Sequence, residues 1–172
     1  MKLSSIAYNG PVVTVDPNYL EMCRAITSVL RPQCPREWQI WYIKDKIQKR
    51  DFTAILGYPM DSTWPSLINI DGQEGEYVTQ FQIYRASEII TMIPDAVIER
   101  LGGDLQDLSK SRWVKCLIAL SSWLARWLSP QLEQPVGLLF MDMTMEEMWL
   151  SFLVFERYRM LWEKKTKQWL NK

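Results

Sequence analysis

Residues 112–130, RWVKCLIALSSWLARWLSP, constrain the fold more than any other stretch of the chain. They combine three tryptophans with aliphatic residues and a few cations. The charge-free run from Cys116 to Ala125 has only half of the ~20 residues that a bilayer-spanning helix needs. A transmembrane helix is therefore not expected, and the stretch needs another way to cover its apolar side chains.

The same stretch has the pattern of an amphipathic helix over residues 110–128. Lys115, Ser122 and Arg126 share one side of a helical wheel, and large apolar residues share the opposite side. That apolar side carries Trp113, Leu117, Leu120, Leu124, Trp127 and Leu128. Because such a stripe usually faces a protein core, we predict a core helix, with a partner or membrane surface as the alternative.

The absence of histidine limits the chemistry that this chain can perform. No Ser-His-Asp or Cys-His site can exist, since the commonest general base and metal ligand is missing. Cys23, Cys34 and Cys116 lack CxxC spacing, which predicts free thiols in a reducing compartment. The 20 basic and 20 acidic residues cancel, so wholesale coating of nucleic acid is not expected. We therefore expect a non-enzymatic, intracellular, cytoplasmic protein without cofactor or metal.

The first half of the chain mixes predicted strands and helices. Asn9-Gly10 is a strong two-residue turn signal for a hairpin. Asp16-Pro17 supplies an N-cap and the favoured first helical residue. The predicted segments are a β-hairpin over 3–15, a helix over 17–30, a second helix over 35–52 and a strand–turn–strand unit over 67–85.

The second half is predicted to be rich in helices. Its segments are a helix over 86–101 interrupted at Pro94, the helix over 110–128, a buried strand over 135–143 and a long helix from Thr144 to about Trp169. Thr144 and Glu147 have the spacing of a capping box. Met148 to Phe155 is apolar nearly all round, which indicates full burial or an oligomer interface. We therefore predict one globular α+β domain over 1–172, with a small N-terminal β-sheet, flanking helices and a helix-rich C-terminal half.

The loop between Tyr58 and Ile70 is one candidate interaction site. Four of its residues, Trp64, Pro65, Leu67 and Ile68, place apolar bulk between two turn-rich segments. Exposed loops with tryptophan and proline often bind a partner. A loop that folds over the core explains the same pattern equally well.

The basic C-terminal segment is a second candidate. Its cationic and aromatic residues are Arg157, Arg159, Trp162, Lys164, Lys165, Lys167 and Trp169. A helix of this composition can contact an anionic membrane or nucleic acid. The simpler interpretation is a solvated helix end with its cations near the negative end of the helix dipole.

The carboxylates of Asp142, Glu146 and Glu147 are a third candidate. Clustered carboxylates can bind Mg²⁺ or act as acid and base. Glu147 also completes the capping box, and acidic residues stabilise a helix N-terminus. We therefore favour a structural role over a metal or catalytic one.

Four short segments of the first 85 residues follow one another in a suggestive order. They are AYNGPV at 7–12, KRDFTAILG at 49–57, the apolar loop after it and IDGQEGEY at 70–77. Together they resemble the matrix proteins of rhabdoviruses, and WEKKTKQWL near the C-terminus is a fainter similarity. The chain lacks that family's lysine-rich N-terminal arm and PPxY motif, and its net charge is zero.

The resemblance implies a small non-enzymatic α+β domain that self-associates, condenses the ribonucleoprotein and lies under the viral envelope. The exposed apolar loop of the family, which docks one subunit to the next or to membrane, falls here on Trp64, Pro65, Leu67 and Ile68.

Three functional hypotheses follow from the sequence. The first is an assembly protein that binds its own copies and other proteins, such as a viral nucleoprotein or a host factor, at the inner face of a virion or membrane. The second is an adaptor or inhibitor that captures one cellular protein. The third is a nucleic-acid binder that uses the basic C-terminal helix.

Overall fold

A computed structural model describes residues 13–30, 39–46, 49–55, 68–69, 77–102, 111–128 and 143–171. Helices and strands are both present, which confirms the predicted α+β class. The contacts within the chain cluster into two compact units, Met1–Tyr84 and Arg85–Lys172, and each is described by itself. The single domain over 1–172 stays a prediction.

The first unit begins with helix α1, Pro17–Leu30, where the sequence predicts a helix. The Asp16 carboxylate caps it by accepting hydrogen bonds from the backbone N–H groups of Asn18 and Tyr19, at 2.8 and 3.0 Å. This satisfies two donors that the first helical turn would otherwise leave without partners. The buried residues of α1 follow helical spacing and form one face. They are Tyr19, Met22, Cys23 and Ile26.

A four-stranded sheet follows α1, in the order β2-β1-β4-β3. The strands are β1 (Ile40–Asp45), β2 (Arg50–Ile55), β3 (Ile68–Asn69) and β4 (Tyr77–Ile83). Strand β1 pairs antiparallel with both β2 and β4, and β3 pairs parallel with β4. Helix α1 packs against β4, and the Tyr19 hydroxyl donates a hydrogen bond to the carbonyl of Tyr84.

The predicted second helix over 35–52 is wrong, because β1 and β2 form a hairpin there. Trp41 and Ile43 are buried while Lys44 is exposed, which is the alternation of a strand. The run Ile40–Ile43 is wholly apolar, so its periodicity fits either structure, but its β-branched and aromatic residues favour a strand. Lys49 adopts a left-handed conformation, with φ 53°, where the chain turns into β2.

The predicted hairpin over 3–15 lies outside the described residues except at 13–15, which form no strand. Val13 nevertheless pairs with Thr53 of β2. Its N–H donates to the Thr53 carbonyl at 3.0 Å, and its carbonyl accepts from the Thr53 hydroxyl. The predicted strand over 135–143 also lies outside the described residues but for Met143.

The second unit opens with two short helices, α2 (Ala86–Met92) and α3 (Asp95–Gly102), separated by Ile93-Pro94 as the sequence predicts. Proline cannot continue a helix, since it lacks an N–H and clashes with the preceding turn. The Arg112 guanidinium holds the break together. It donates to the carbonyls of Ile90, at 3.2 Å, and of Ile93, and pairs with the Asp95 carboxylate.

Helix α4, Arg112–Leu128, confirms the helix predicted over 110–128. Its buried side differs from the predicted one, because only Leu120 belongs to both. The buried residues are Cys116, Ala119, Leu120 and Trp123, whereas Trp113 is 45% exposed. The Trp123 indole packs on the rings of Phe152 and Phe155, with centroids 5.5 and 5.8 Å apart. Burial thus follows the sides that meet α3 and α5, which a helical wheel of α4 alone does not identify.

Helix α5, Met145–Tyr158, starts with the predicted capping box at Thr144 and Glu147. Its middle is buried on all sides, from Trp149 to Val154. The predicted extension of this helix to Trp169 is wrong. Arg159 adopts the left-handed conformation, with φ 57° and ψ 36°, and its N–H donates to the Phe155 carbonyl at 2.9 Å. This contact ends the helix by satisfying a terminal carbonyl.

Beyond Arg159 the chain forms a β-hairpin of β5 (Met160–Glu163) and β6 (Gln168–Asn171). The basic segment that was predicted to be helical therefore lies on two antiparallel strands and the turn between them. Helix α5 packs against β5, α2 packs against α5, and α3 packs against α4.

Candidate interaction surfaces

The predicted interaction loop cannot be located as a surface. Trp64, Pro65 and Leu67 lie outside the described residues, and Ile68 is described only by its backbone in β3. The self-association role of these four residues therefore stays a prediction.

The carboxylates near the start of α5 have a structural arrangement. Glu147 is buried, its carboxylate accepts the Thr144 N–H at 2.8 Å, and its own N–H donates to the Thr144 hydroxyl at 3.2 Å. Glu146 is exposed, and Asp142 lies outside the described residues. No group of three potential metal ligands occurs in the described part of the chain. The arrangement supports the capping role that the sequence favours.

The Cys116 thiol is also part of the structure of the second unit. It is fully buried on α4, and this burial raises its pKa above the usual value. The nearby Arg112 lowers the pKa and Asp95 raises it, but burial is the largest effect. Because the thiolate is the reactive form of cysteine, this geometry keeps the thiol unreactive.

Exposed apolar side chains occur at the starts of α4 and α5. Trp113, Val114 and Met145 are exposed by 45, 39 and 49%, and we call these three residues the Trp113 patch. The Trp113 ring lies 5.7 Å from that of the fully buried Trp149, with a tilt of 42°. Met145 precedes Trp149 by four residues and so lies on the same side of α5. The patch therefore continues the core of the second unit out to solvent.

The C-terminal hairpin is a second surface, and its two faces differ. Trp162 pairs with Trp169 across the strands, with ring centroids 5.3 Å apart and a tilt of 57°. Trp169 is buried and Trp162 is partly buried. Leu161 pairs with Leu170 on the opposite face, because neighbouring residues in a strand point to opposite sides. Leu170 is 42% exposed, so that face meets solvent.

The turn of the hairpin, Lys164–Lys167, concentrates positive charge, and we call it the basic turn. Its three lysines are exposed and form no ion pair with any described residue. The Glu163 carboxylate, next to the turn in the sequence, accepts a hydrogen bond from the Lys165 backbone N–H at 3.1 Å. The carboxylate thus holds the turn in shape while the ammonium groups extend into solvent.

The two arginines of the predicted basic segment lie before the hairpin and contact their neighbours. The Arg157 guanidinium lies 5.7 Å from the Tyr158 ring centroid. Arg159 lies 5.3 Å from the Phe155 ring and 3.9 Å from the Glu156 carboxylate, which also pairs with Arg100. The structure therefore divides the predicted set into two arginines in local contacts, two paired tryptophans and three exposed lysines.

The sequence pattern assigned Trp113 to the core and so missed the Trp113 patch. The signal that could have revealed it is the position of Trp113 and Met145, each in the first turn of its helix. A side chain there has no preceding turn of its own helix to cover it.

Within the described residues, no helix is both long enough and apolar enough to cross a membrane. Comparisons with known proteins found no matching family model, no matching curated protein and no matching solved structure.

Proposed function

We propose that this chain is a non-enzymatic assembly protein that binds copies of itself and other proteins, as a viral matrix-type protein does. The observation that supports the proposal is the Trp113 patch. Exposed tryptophan and methionine side chains beside a buried tryptophan are typical of the centres of protein interfaces. The copies would assemble into a layer at the inner face of a virion or membrane.

Among the described residues, the charged neighbour of the Trp113 patch is held away from it. Arg112, the charged residue next to it, is held by the carbonyls of Ile90 and Ile93 and by Asp95. Its guanidinium therefore does not extend over the exposed indole as a solvating group. A second molecule that covers Trp113 and Met145 would remove a large apolar area from water, which is the main driving force of protein association.

The first experiment measures the mass of the full chain by light scattering after size-exclusion chromatography, over a range of concentrations. We expect the mass to rise with concentration, and Met145→Glu to raise the dissociation constant about 30-fold, as loss of an interface hot spot does. Glutamate suits the first turn of α5 because of the helix dipole, so this variant keeps the fold. Trp113→Ala should have the same effect.

Leu170→Ala is the matched control, because Leu170 is equally exposed but lies beyond the other end of α5. The 14 residues of that helix separate the two places by about 20 Å. This variant should associate as the unmodified chain does. A chain that remains monomeric at high concentration would contradict the proposal. If the monomeric chain bound one cellular protein through Trp113, the adaptor hypothesis would replace self-association.

A further inference from the structure

We propose that β6 is a docking edge for an extended acidic segment of a partner protein. The segment adds a third strand to the β5–β6 sheet and places its carboxylates against the lysines of the basic turn. The inference rests on the protein-binding part of the proposed function and is independent of self-association through the Trp113 patch.

The first observation is the state of the β6 edge. Strand β5 packs against α5, but no strand among the described residues pairs with the outer edge of β6. Gln168, Leu170 and Asn171 are exposed there. An open edge presents a row of N–H and C=O groups that an added strand can satisfy. A two-stranded sheet is also marginally stable by itself, so a third strand adds support.

The second observation is the charge beside that edge. Natural sheets often place lysine within an edge strand to prevent pairing. Here the lysines lie in the turn before β6, and the strand itself, QWLN, carries no charge. The edge is therefore not blocked. Its neighbouring charges repel a basic strand and attract an acidic one, which is how charge sets specificity.

The chemistry of the hairpin disfavours other occupants. A second copy of β6 brings no carboxylate to meet the lysines. Nucleic-acid binding by base stacking needs exposed aromatic rings, but Trp169 is buried and its ring is paired with that of Trp162. The basic turn contains no apolar residue for insertion into a membrane interface.

The experiment titrates the full chain with three blocked ten-residue peptides, by calorimetry and tryptophan fluorescence. One alternates threonine with glutamate, the second has the same sequence with alternate backbone nitrogens methylated, and the third replaces glutamate with lysine. We expect only the first to bind. Methylation removes the N–H donors of the added strand but keeps its charge, so it separates strand pairing from attraction between charges.

Two variants, each with three lysines replaced, are compared for their affinity for the acidic peptide. Lys164→Gln, Lys165→Gln and Lys167→Gln together should weaken binding of the acidic peptide about tenfold, by losing three surface ion pairs. The control replaces Lys44, Lys46 and Lys49, which are exposed around the β1–β2 turn, and removes the same charge. That control should bind as the unmodified chain does.

Each of three results would overturn the inference. They are equal binding of the methylated peptide, equal loss in both triple variants, and selective binding of single-stranded RNA or phosphatidylserine vesicles through the basic turn without binding of the peptide. The Met145→Glu variant separates this inference from self-association. It should lose assembly and keep full affinity for the peptide.

Discussion

Ser151 is a polar residue that the fold buries in the middle of α5. It is 2% exposed, and its hydroxyl has no hydrogen-bond partner in the described part of the chain. A buried hydroxyl without a partner has lost its hydrogen bonds to water and forms none within the protein. Serine also has a lower helix propensity than alanine. The residue therefore costs stability in two ways.

Ser151→Ala should raise the free energy of unfolding by about 1 to 2 kcal/mol, as measured by urea denaturation. Ser121→Ala is the control, since Ser121 is exposed in the middle of α4 and changes only the helix propensity. It should add about 0.5 kcal/mol. Equal gains in the two variants would show that the Ser151 hydroxyl finds a partner in solution.

Tyr42 lies in a cluster where the sheet meets α1. Its ring stacks on Phe81 at 4.8 Å between centroids, and the Arg24 guanidinium lies 5.5 Å from it. Its hydroxyl donates to the Asp51 carboxylate at 3.0 Å. Burial is the largest cause that raises the pKa of Tyr42 above 10.0, and Asp51 raises it further, while Arg24 lowers it.

A raised pKa means that the fold favours the protonated hydroxyl. The stability from this preference is fully present below the unfolded-state pKa, near 10, and is lost as the pH rises through the higher folded-state pKa. Between pH 8 and 11, Tyr42→Phe should therefore lose less stability than the unmodified chain. Asp51→Asn should show an intermediate loss. If the free energy of unfolding of Tyr42→Phe fell with pH as steeply as that of the unmodified chain, Tyr42 would not be the group responsible.

At the scale of elements, Arg159 decides where α5 ends. A residue with a Cβ atom pays a steric cost in the left-handed conformation that glycine does not pay. Arg159→Gly should therefore be more stable than Arg159→Ala by about 1 kcal/mol in thermal unfolding. Both variants lose the same contacts with Phe155 and Glu156, so the difference isolates the backbone. A more stable alanine variant would mean that the helix continues past Arg159.

Local signals in the sequence were enough to locate several elements. Asp16 before Pro17, Thr144 before Glu147 and Pro94 within an apolar pattern each act through contacts a few residues away. Because these features depend only on neighbouring residues in the sequence, the starts of α1 and α5 and the break before α3 could be predicted.

The errors occurred where the pairing or packing of one segment against another decides its structure. The run Ile40–Ile43 becomes a strand because β4 and β2 lie on either side of it. Residues beyond Tyr158 become a hairpin because Trp162 meets Trp169 and Arg159 turns the chain. The basic residues of the candidate site could be identified from the sequence. The concentration of three lysines in one turn could not, because the predicted helix would spread them over several faces. Trp113 was misplaced because its exposure depends on how α4 meets α5.

At the scale of the molecule, calorimetry measures how many cooperative units the chain contains. Its 172 residues suit one domain, although its contacts cluster in two units. The single-domain prediction requires one calorimetric transition, with an enthalpy of about 120 kcal/mol near 60 °C that equals the van't Hoff value. Two separable transitions, or a van't Hoff value near half the calorimetric one, would show that the units unfold separately.

The paired indoles of Trp162 and Trp169 also have an optical consequence. Two identical chromophores 5.3 Å apart and tilted by 57° couple their electronic transitions, which splits their absorption and produces a pair of circular dichroism bands of opposite sign. These bands overlap the far-ultraviolet signal of the helices, so a spectrum of this chain is more than a sum of secondary structures. The indoles of Trp113 and Trp149, 5.7 Å apart, couple in the same way. The bands that are lost in a Trp162→Phe variant are therefore those whose fading on heating reports the separation of β5 from β6.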